Sequence, residues 1–304
     1  MSIITKIKKF ITDPQIKFGY LTKLGFYNNM PDEKYLKRKF KLVMGKELNL
    51  ENPQTFNEKL QWLKLYDRKP EYTMMVDKYK VREYIKEKLG EEYLIPLLGV
   101  WDDPDEINFE ALPNQFVLKC NHNSGTGMCI CKDKSKLDIE KVKAELRNGL
   151  KENYYLTNRE WPYKNVPRKI ICEKYMVDEN NEKGLFDYKF FCFNGKPILM
   201  YISNDISDEA KTDFYDMDFN KLNIRMKDPN SDKLIDKPIF FDKMKEIAEI
   251  LSQNIPFVRV DFYYINGQIY VGELTFYHNA GFCTISPEEW NYKLGSYINL
   301  PKDK

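Results

Sequence analysis

Two Asn-Gly dipeptides, each set between alternating apolar runs, constrain this chain more than any other feature. Asn194-Gly195 separates residues 188–193 from 198–202, and Asn266-Gly267 separates 257–264 from 269–276. Asn and Gly tolerate the positive φ that a two-residue type I′ turn requires, and the twist of that turn matches the twist of paired strands. Both segments therefore read as β-hairpins. Hairpin strands pair antiparallel, which excludes a doubly wound parallel sheet.

Helical signals surround these strands. Residues 33–44 carry Tyr35, Leu36, Phe40 and Val43 at helical intervals. Thr55-Phe-Asn-Glu58 is a capping box: the Thr55 hydroxyl and the Glu58 carboxylate can each satisfy an orphan backbone N–H at a helix start. It opens a helix through Leu60, Leu63 and Tyr66. Asp77 caps a helix over 78–89 that Gly90 ends. From about residue 92 the pattern is mixed, with strands at 115–119, 128–132 and 169–173, a helix at 138–152 and another at 241–253. The fold class is α+β, with no internal repeat and no low-complexity linker.

With 304 residues the chain can bury the core of one large domain or two moderate ones. A hydrophobic share of 42% and a charged share of 31% exclude disorder and a membrane bundle. Lys6, Lys8 and Lys9 interrupt the apolar start, so no signal peptide is expected. Forty-eight basic against 46 acidic residues leave +2, too balanced for a nucleic-acid binder. The first 50 residues hold a local +7, and the apolar residues from Ile3 to Ile11 recur at helical spacing until Asp13-Pro14 stops them. Such a basic amphipathic start either packs on its own domain or makes peripheral contact with an anionic membrane surface. The six cysteines lack disulfide or zinc spacing, in keeping with reduced thiols in a cytoplasm. With only His122 and His278 as imidazoles, a bound metal would need carboxylate ligands and would be a hard cation such as Mg²⁺.

Three constellations carry chemistry. In the hairpin Phe257 to Phe276, strand alternation puts Arg259 and Asp261 on one face, with Glu273 and Thr275 sharing a face of the partner strand. Asp261 and Glu273 fall nearly opposite one another. Two carboxylates at that spacing repel, so either a divalent cation bridges them or both meet water. In Phe116-Val-Leu-Lys-Cys-Asn-His-Asn-Ser-Gly-Thr-Gly-Met128, a strand ending in Lys119 runs into a loop whose backbone N–H groups and hydroxyls can approach a polyphosphate. An ordinary glycine-rich hairpin explains the same loop. It is neither a Walker A loop nor a dinucleotide fingerprint. In Ile170-Ile-Cys-Glu-Lys-Tyr-Met176, an apolar strand ends in groups able to read an adenine, and equally could be a buried strand with a charged end.

In this order and spacing the motifs resemble the ATP-grasp superfamily, and more closely the TupA-like ATP-grasp proteins of bacterial polysaccharide biosynthesis. Asn52-Pro-Gln-Thr-Phe-Asn-Glu-Lys-Leu-Gln-Trp-Leu-Lys64, Val76-Asp-Lys-Tyr79 and the closing residues 294–301 extend the resemblance across most of the chain. It implies two α+β subdomains with antiparallel sheets gripping ATP, residues 76–176 and 177–304, after a helical region over 1–75. It also implies an ATP- and Mg²⁺-dependent carboxylate–amine ligase working through an acyl phosphate and releasing ADP. The substrates implied are an amine and a uronic acid of a cell-surface polysaccharide or its precursor, with a cytoplasmic location at or near the inner membrane face. By the same resemblance Lys119 holds the α/β phosphates, and Ser124, Gly125, Thr126 and Gly127 close over the triphosphate. Glu173, Lys174, Tyr175 and Met176 form the adenine hinge, and Asp187 contacts the ribose. Asp261 and Glu273 bind Mg²⁺. Arg259 stabilises charge on the transferred phosphoryl group, and Lys189 is a second phosphate contact. Many ATP-grasp members place Asn two residues beyond the metal-binding Glu. Here Thr275 stands in that position, and its hydroxyl can reach a metal or a bound water. His278 and Asn279 fall in a loop near the acceptor.

Other readings use other residues. Asp103-Pro-Asp105 and Asp216-Met-Asp218 are DxD-like pairs of the kind a nucleotide-sugar glycosyltransferase needs. A sugar kinase would use the same nucleotide site and stop at phosphoryl transfer to a hydroxyl. A non-catalytic carbohydrate-binding protein would use the 14% aromatic content.

Overall fold

The computed structural model describes residues 10, 12–178, 185–204, 211–231 and 235–302. The basic start over residues 3–11 lies, apart from Phe10, outside the described residues.

Helices come first in the chain. Asp13-Pro14 is a helix boundary: Phe10 and Thr12 are helical, Asp13 is not, and a new helix begins at Pro14. The Asp13 carboxylate accepts from the backbone N–H groups of Gln15 and Ile16, and Pro14 takes the first turn of α1 (Pro14–Lys23), where its missing N–H costs nothing. Next, α2 (Asp32–Met44) ends at Gly45 in the left-handed region, with φ 69°. The capping box at Thr55 and Glu58 forms as read from the sequence and opens α3 (Phe56–Tyr66). Two shorter helices follow, α4 (Pro70–Val76) and α5 (Val81–Lys88). Asp77 accepts from Tyr79 and Lys80 N–H groups in the turn before α5, so the expected cap is present one turn ahead of the helix.

The first sheet contains β1 (Leu97–Trp101), β2 (Phe116–Cys120), β3 (Met128–Cys131) and β4 (Ile170–Lys174), in the order β1-β4-β2-β3 and antiparallel throughout. Between β3 and β4 come α6 (Ile139–Lys151), capped by Asp138, and α7 (Tyr154–Asn158). Val142 and Leu146 of α6 pack with Phe116, Leu118, Ile170 and Cys172 in a small core.

The second sheet is larger. It holds β5 (Phe186–Phe193), β6 (Lys196–Asn204), β7 (Asp213–Asp216), β8 (Lys221–Leu222), β9 (Phe257–Ile265) and β10 (Gln268–Thr275), in the order β10-β9-β5-β6-β7-β8. Both Asn-Gly turns adopt the required conformation, with φ 48° and 81° at Asn194 and Gly195, and 50° and 87° at Asn266 and Gly267. One face of this sheet carries α8 (Phe241–Leu251), which packs Phe241 against Phe190. On the other face Phe56 of α3 packs against Phe191, Phe193 and Phe257. The chain closes with α9 (Glu289–Tyr297), where Gly295 lies so close to the backbone at Gln54 and Thr55 that a methyl group would not fit. The N-terminal helices, read from the sequence as a region ahead of two subdomains, thus share a single core with the six-stranded sheet.

The sequence did not announce β1, α4, α7 or α9. These are short elements whose apolar residues meet partners far away in the chain, and local periodicity carries no trace of that. An isolated parallel bridge ties Leu94, just ahead of β1, to Val271 of β10.

Candidate active site

A cavity of about 570 Å³ lies between the two sheets. The smaller sheet contributes Val117, Lys119, Met128 and Ile130 to its wall, and the chain leaving β4 contributes Lys174, Tyr175 and Met176. Met128 and Ile130 are about half exposed and give this wall an apolar surface that a flat ligand could cover. From the larger sheet come Asp187, Lys189, Asp261, Tyr263 and Glu273.

The charges at that second wall follow from strand register. Glu273 stands opposite Asp261, Asp261 opposite Lys189, and Lys189 opposite Tyr201. A bulge at Gly272, between Val271 and Glu273, sets this register, and a Cβ there would crowd the Tyr263 ring. Arg259 grips both oxygens of Asp261 at 2.6 Å and donates to Glu273 Oε1 at 3.0 Å. Lys189 bridges Asp187 at 2.6 Å and Asp261 at 2.8 Å. The opposed carboxylates predicted from the hairpin are therefore present, with their repulsion answered by two cations. Burial works against ionisation of Glu273, yet Arg259, Lys78 and Lys189 outweigh it and hold the carboxyl down to about 2. Burial dominates at Asp187 and raises its carboxyl above the ordinary range despite Lys189.

Thr275 is not a free ligand in this arrangement. Its hydroxyl accepts from Arg259 at 3.1 Å and donates to Glu273 at 2.8 Å. Thr275 and Arg259 lie behind Asp261 and Glu273, outside the cavity wall. Among the described residues no three His, Cys, Asp or Glu side chains cluster closely enough to hold a metal by themselves. A Mg²⁺ ion bound by one or two carboxylates and completed by phosphate oxygens suits such a site. Asp187 lines the same cavity, and its buried Oδ1 has no hydrogen-bond partner. The donor set is all oxygen, so the residues fit a hard cation shared with a phosphate-bearing ligand.

On the facing wall Lys119 pairs with Glu173 at 2.6 Å, and Arg82 lies 3.9 Å from the same carboxylate. The glycine-bearing loop after β2 divides into two parts. Asn121, His122 and Asn123 are buried, and Asn121 joins Asp77, the Pro167 carbonyl and the Lys169 N–H. Ser124, Gly125 and Thr126 are exposed at the hairpin tip and do not line the cavity. Gly127 is buried against Gly149 of α6 and the Cys120 thiol, where no side chain fits. Lys78 also lines the cavity, and no role was assigned to it from the sequence. Its signal was faint: one lysine in a turn, which the Asn121 carbonyl holds in place by accepting from its N–H.

Behind Arg259 sits His278. Its Nδ1 lies 2.9 Å from Arg259 Nη1 and accepts that bond, and its Nε2 lies 3.0 Å from Asn279 Nδ2. Burial, then Arg259 and Lys189, keep the imidazole neutral. The next two residues, Asn279 and Ala280, both adopt positive φ, 47° and 52°. Strain of this kind persists where surrounding structure over-determines it. Here α3 does so: Lys64 donates to the Ala280 carbonyl at 2.7 Å, and Gln61 to the Ala280 and Gly281 carbonyls at 3.1 and 2.8 Å.

Both DxD-like pairs are structural. Asp103 caps the turn at Pro104, and Asp216 accepts from the Asp218 and Asn220 N–H groups in the β7–β8 turn.

Two antiparallel sheets facing one cavity lined by cations and paired carboxylates define an α+β protein of the ATP-grasp class. The model of the TupA-like ATP-grasp family matches residues 58–299, and the chain belongs to that family. Among solved structures it is similar to D-alanine–D-alanine ligase from Bacillus anthracis complexed with ATP, at 15% identity and TM-score 0.40 over 67% of this chain and 54% of that one. It is also similar to D-alanine–D-alanine ligase from Helicobacter pylori, at 12% identity and TM-score 0.43 over 80% and 69% of the two chains. A third is N5-carboxyaminoimidazole synthase from Aspergillus clavatus, at 12% identity and TM-score 0.41 over 76% and 53%. The chain thus spans about half the length of the Bacillus anthracis ligase. No curated protein matches it.

Proposed function

We propose that this protein is an ATP-dependent ligase joining a carboxylate to an amine through an acyl phosphate, with release of ADP. The carboxylate belongs to a uronic acid of a cell-surface polysaccharide or its precursor. The observation that carries the reading is the row Lys189, Asp261, Glu273 with Arg259 behind it, facing exposed Met128 and Ile130 across one cavity. An adenine needs an apolar slot, and a triphosphate needs cations with a place for a metal. Both line the same cavity.

The chemistry asks little else of the chain. A carboxylate is a poor electrophile because its charge is delocalised, and phosphorylation turns one oxygen into a leaving group. Lys119, Lys78 and Lys189 offset phosphate charge, and Asp261 and Glu273 would hold Mg²⁺. That ion, when bound, neutralises the phosphates and orients the terminal one. Arg259, fixed by Asp261 and His278 behind the paired carboxylates, adds positive charge to the site through them without reorganising. No covalent nucleophile is needed. Burial pushes the Cys120 and Cys172 thiols up to about 11 and 12, and neither lines the cavity.

Purified protein given ATP, Mg²⁺, a uronic acid and a pool of amino acids should release ADP and phosphate only when acid and amine are both present. AMP release, or consumption of a nucleotide sugar without ATP, would refute the ligase reading. ADP without free phosphate, accompanied by a phosphorylated sugar, would identify a kinase.

A further inference from the structure

A second cavity of about 220 Å³ adjoins the first on the same sheet, and Ser203 lines both. Its floor is aromatic. Tyr201 lies 5.2 Å from Phe214 and 5.8 Å from the His278 ring, centroid to centroid. Its rim is polar: Lys211, Lys227, Thr212 and Asp228. Among the described residues neither lysine has a carboxylate partner, although 22 ion pairs occur elsewhere in the fold. Thr212 donates to Asp228 at 3.5 Å, a weak contact that leaves the carboxylate able to accept from a ligand hydroxyl. The Tyr201 hydroxyl makes no hydrogen bond among the described residues.

Register fixes how the two cavities are related. Phe214 stands opposite Tyr201, Tyr201 opposite Lys189, Lys189 opposite Asp261, and Asp261 opposite Glu273. One transverse row therefore runs from the floor of the second cavity to the paired carboxylates of the first. Two strand spacings, about 10 Å, separate Asp261 from Tyr201. A group bound over Tyr201 is within reach of a phosphate held at Asp261, with Lys189 between them in the row.

We infer that this second cavity is the acceptor subsite and takes a single anionic sugar ring. The ring packs on Tyr201 and Phe214, its anionic edge meets Lys211 and Lys227, and its hydroxyls meet Asp228 and Thr212. The volume agrees, since about 220 Å³ is below the range of drug-sized pockets and suits a ligand of one ring. The inference rests on the ligase reading for its place in the reaction, while binding alone tests it.

The test is calorimetric titration of the full chain, in the presence of ADP and Mg²⁺, with glucuronate, galacturonate and glucose. The wild type should bind a uronate and not glucose. Lys211→Gln and Lys227→Gln should each weaken uronate binding about tenfold, as expected for loss of a charge-assisted contact. ADP affinity should stay within twofold, and melting temperature should hold, because both lysines are exposed. Absence of uronate binding to the wild type, equal binding of glucose, or uronate binding unchanged in both variants would each overturn the assignment. ADP release dependent on some other carboxylate, with no uronate bound, would leave the ligase standing and remove this subsite. Lysine-dependent uronate binding without turnover would do the reverse.

Discussion

Asp187 and Lys189, two residues apart on β5, respond to burial in opposite ways. Lys189 is raised because Asp261 and Asp187 together outweigh its desolvation, whereas desolvation prevails at Asp187. An acid whose carboxyl is raised in the fold takes up protons on folding. Its stabilising effect is present at low pH and is lost as pH climbs from its unfolded value near 3.8 through the raised folded one. Asp187→Asn should therefore make the ligand-free protein more stable at pH 7, by about 1 kcal/mol. It should also flatten the dependence of melting temperature on pH between about 4 and 7 while weakening ATP binding. A melt series across that range decides it, and a variant less stable than wild type at pH 7 would contradict the account. At this scale the sequence was generous. Alternation alone put Arg259, Asp261, Glu273 and Thr275 together, and the pairing of Asp261 with Glu273 was legible from the turn between them. It was silent on the bonds of Arg259 to Thr275 and His278, because those partners depend on rotamers that no pattern of residue types encodes.

At the scale of the element, α3 carries the segment Asn57, Gln61, Lys64, which three-four spacing sets along one buried stripe. Polar residues on a buried face conflict with amphipathic logic and call for distant partners. Asn57 donates to the Cys283 carbonyl, Gln61 to Ala280 and Gly281, and Lys64 to Ala280 and Asn158. The helix is a clamp on the loop bearing His278. Lys64→Met would leave the Asn158 carbonyl without its partner and one fewer donor for Ala280. It should destabilise the protein by about 3 kcal/mol in urea titration. It should also raise the acceptor KM more than the ATP KM, since the nucleotide wall does not touch this loop. Equal loss on both substrates would argue for general damage instead. The capping box that starts α3 could be read directly, because its two partners are three residues apart. The clamp could not be read, because its partners in the His278 loop lie more than 200 residues downstream. Likewise the loop after β2 looks uniformly polar in sequence, and only its packing separates the buried scaffold of Asn121 to Asn123 from the exposed tip at Ser124 to Thr126.

On the scale of the molecule there are two cores of very different size, the larger built on the six-stranded sheet and the N-terminal helices. A small core opens at lower cost than a large one. Hydrogen exchange in the ligand-free protein should therefore be faster in β2 and β3 than in β5 and β9. ADP with Mg²⁺ should slow exchange in both lobes, since a ligand bound between them stabilises whichever state contains both walls. Protection confined to the larger lobe would place the nucleotide elsewhere. The two Asn-Gly hairpins already implied antiparallel pairing, and both fall in the six-stranded sheet, whereas the four-stranded sheet was implied only by the family resemblance. That the N-terminal helices complete the core of the six-stranded sheet was hidden, because contacts such as Phe56 with Phe257 join residues 201 positions apart. The transverse row from Phe214 to Glu273 has a further consequence for how such a chain can change over evolutionary time. The gap between its two cavities is counted in strands, so loops can lengthen or shorten at either end of the sheet without altering it. A slip of register between β5 and β6 would offset the two ends of the row. Insertions should therefore be far better tolerated in lineages of this chain than any change that re-pairs Lys189 with a residue other than Tyr201.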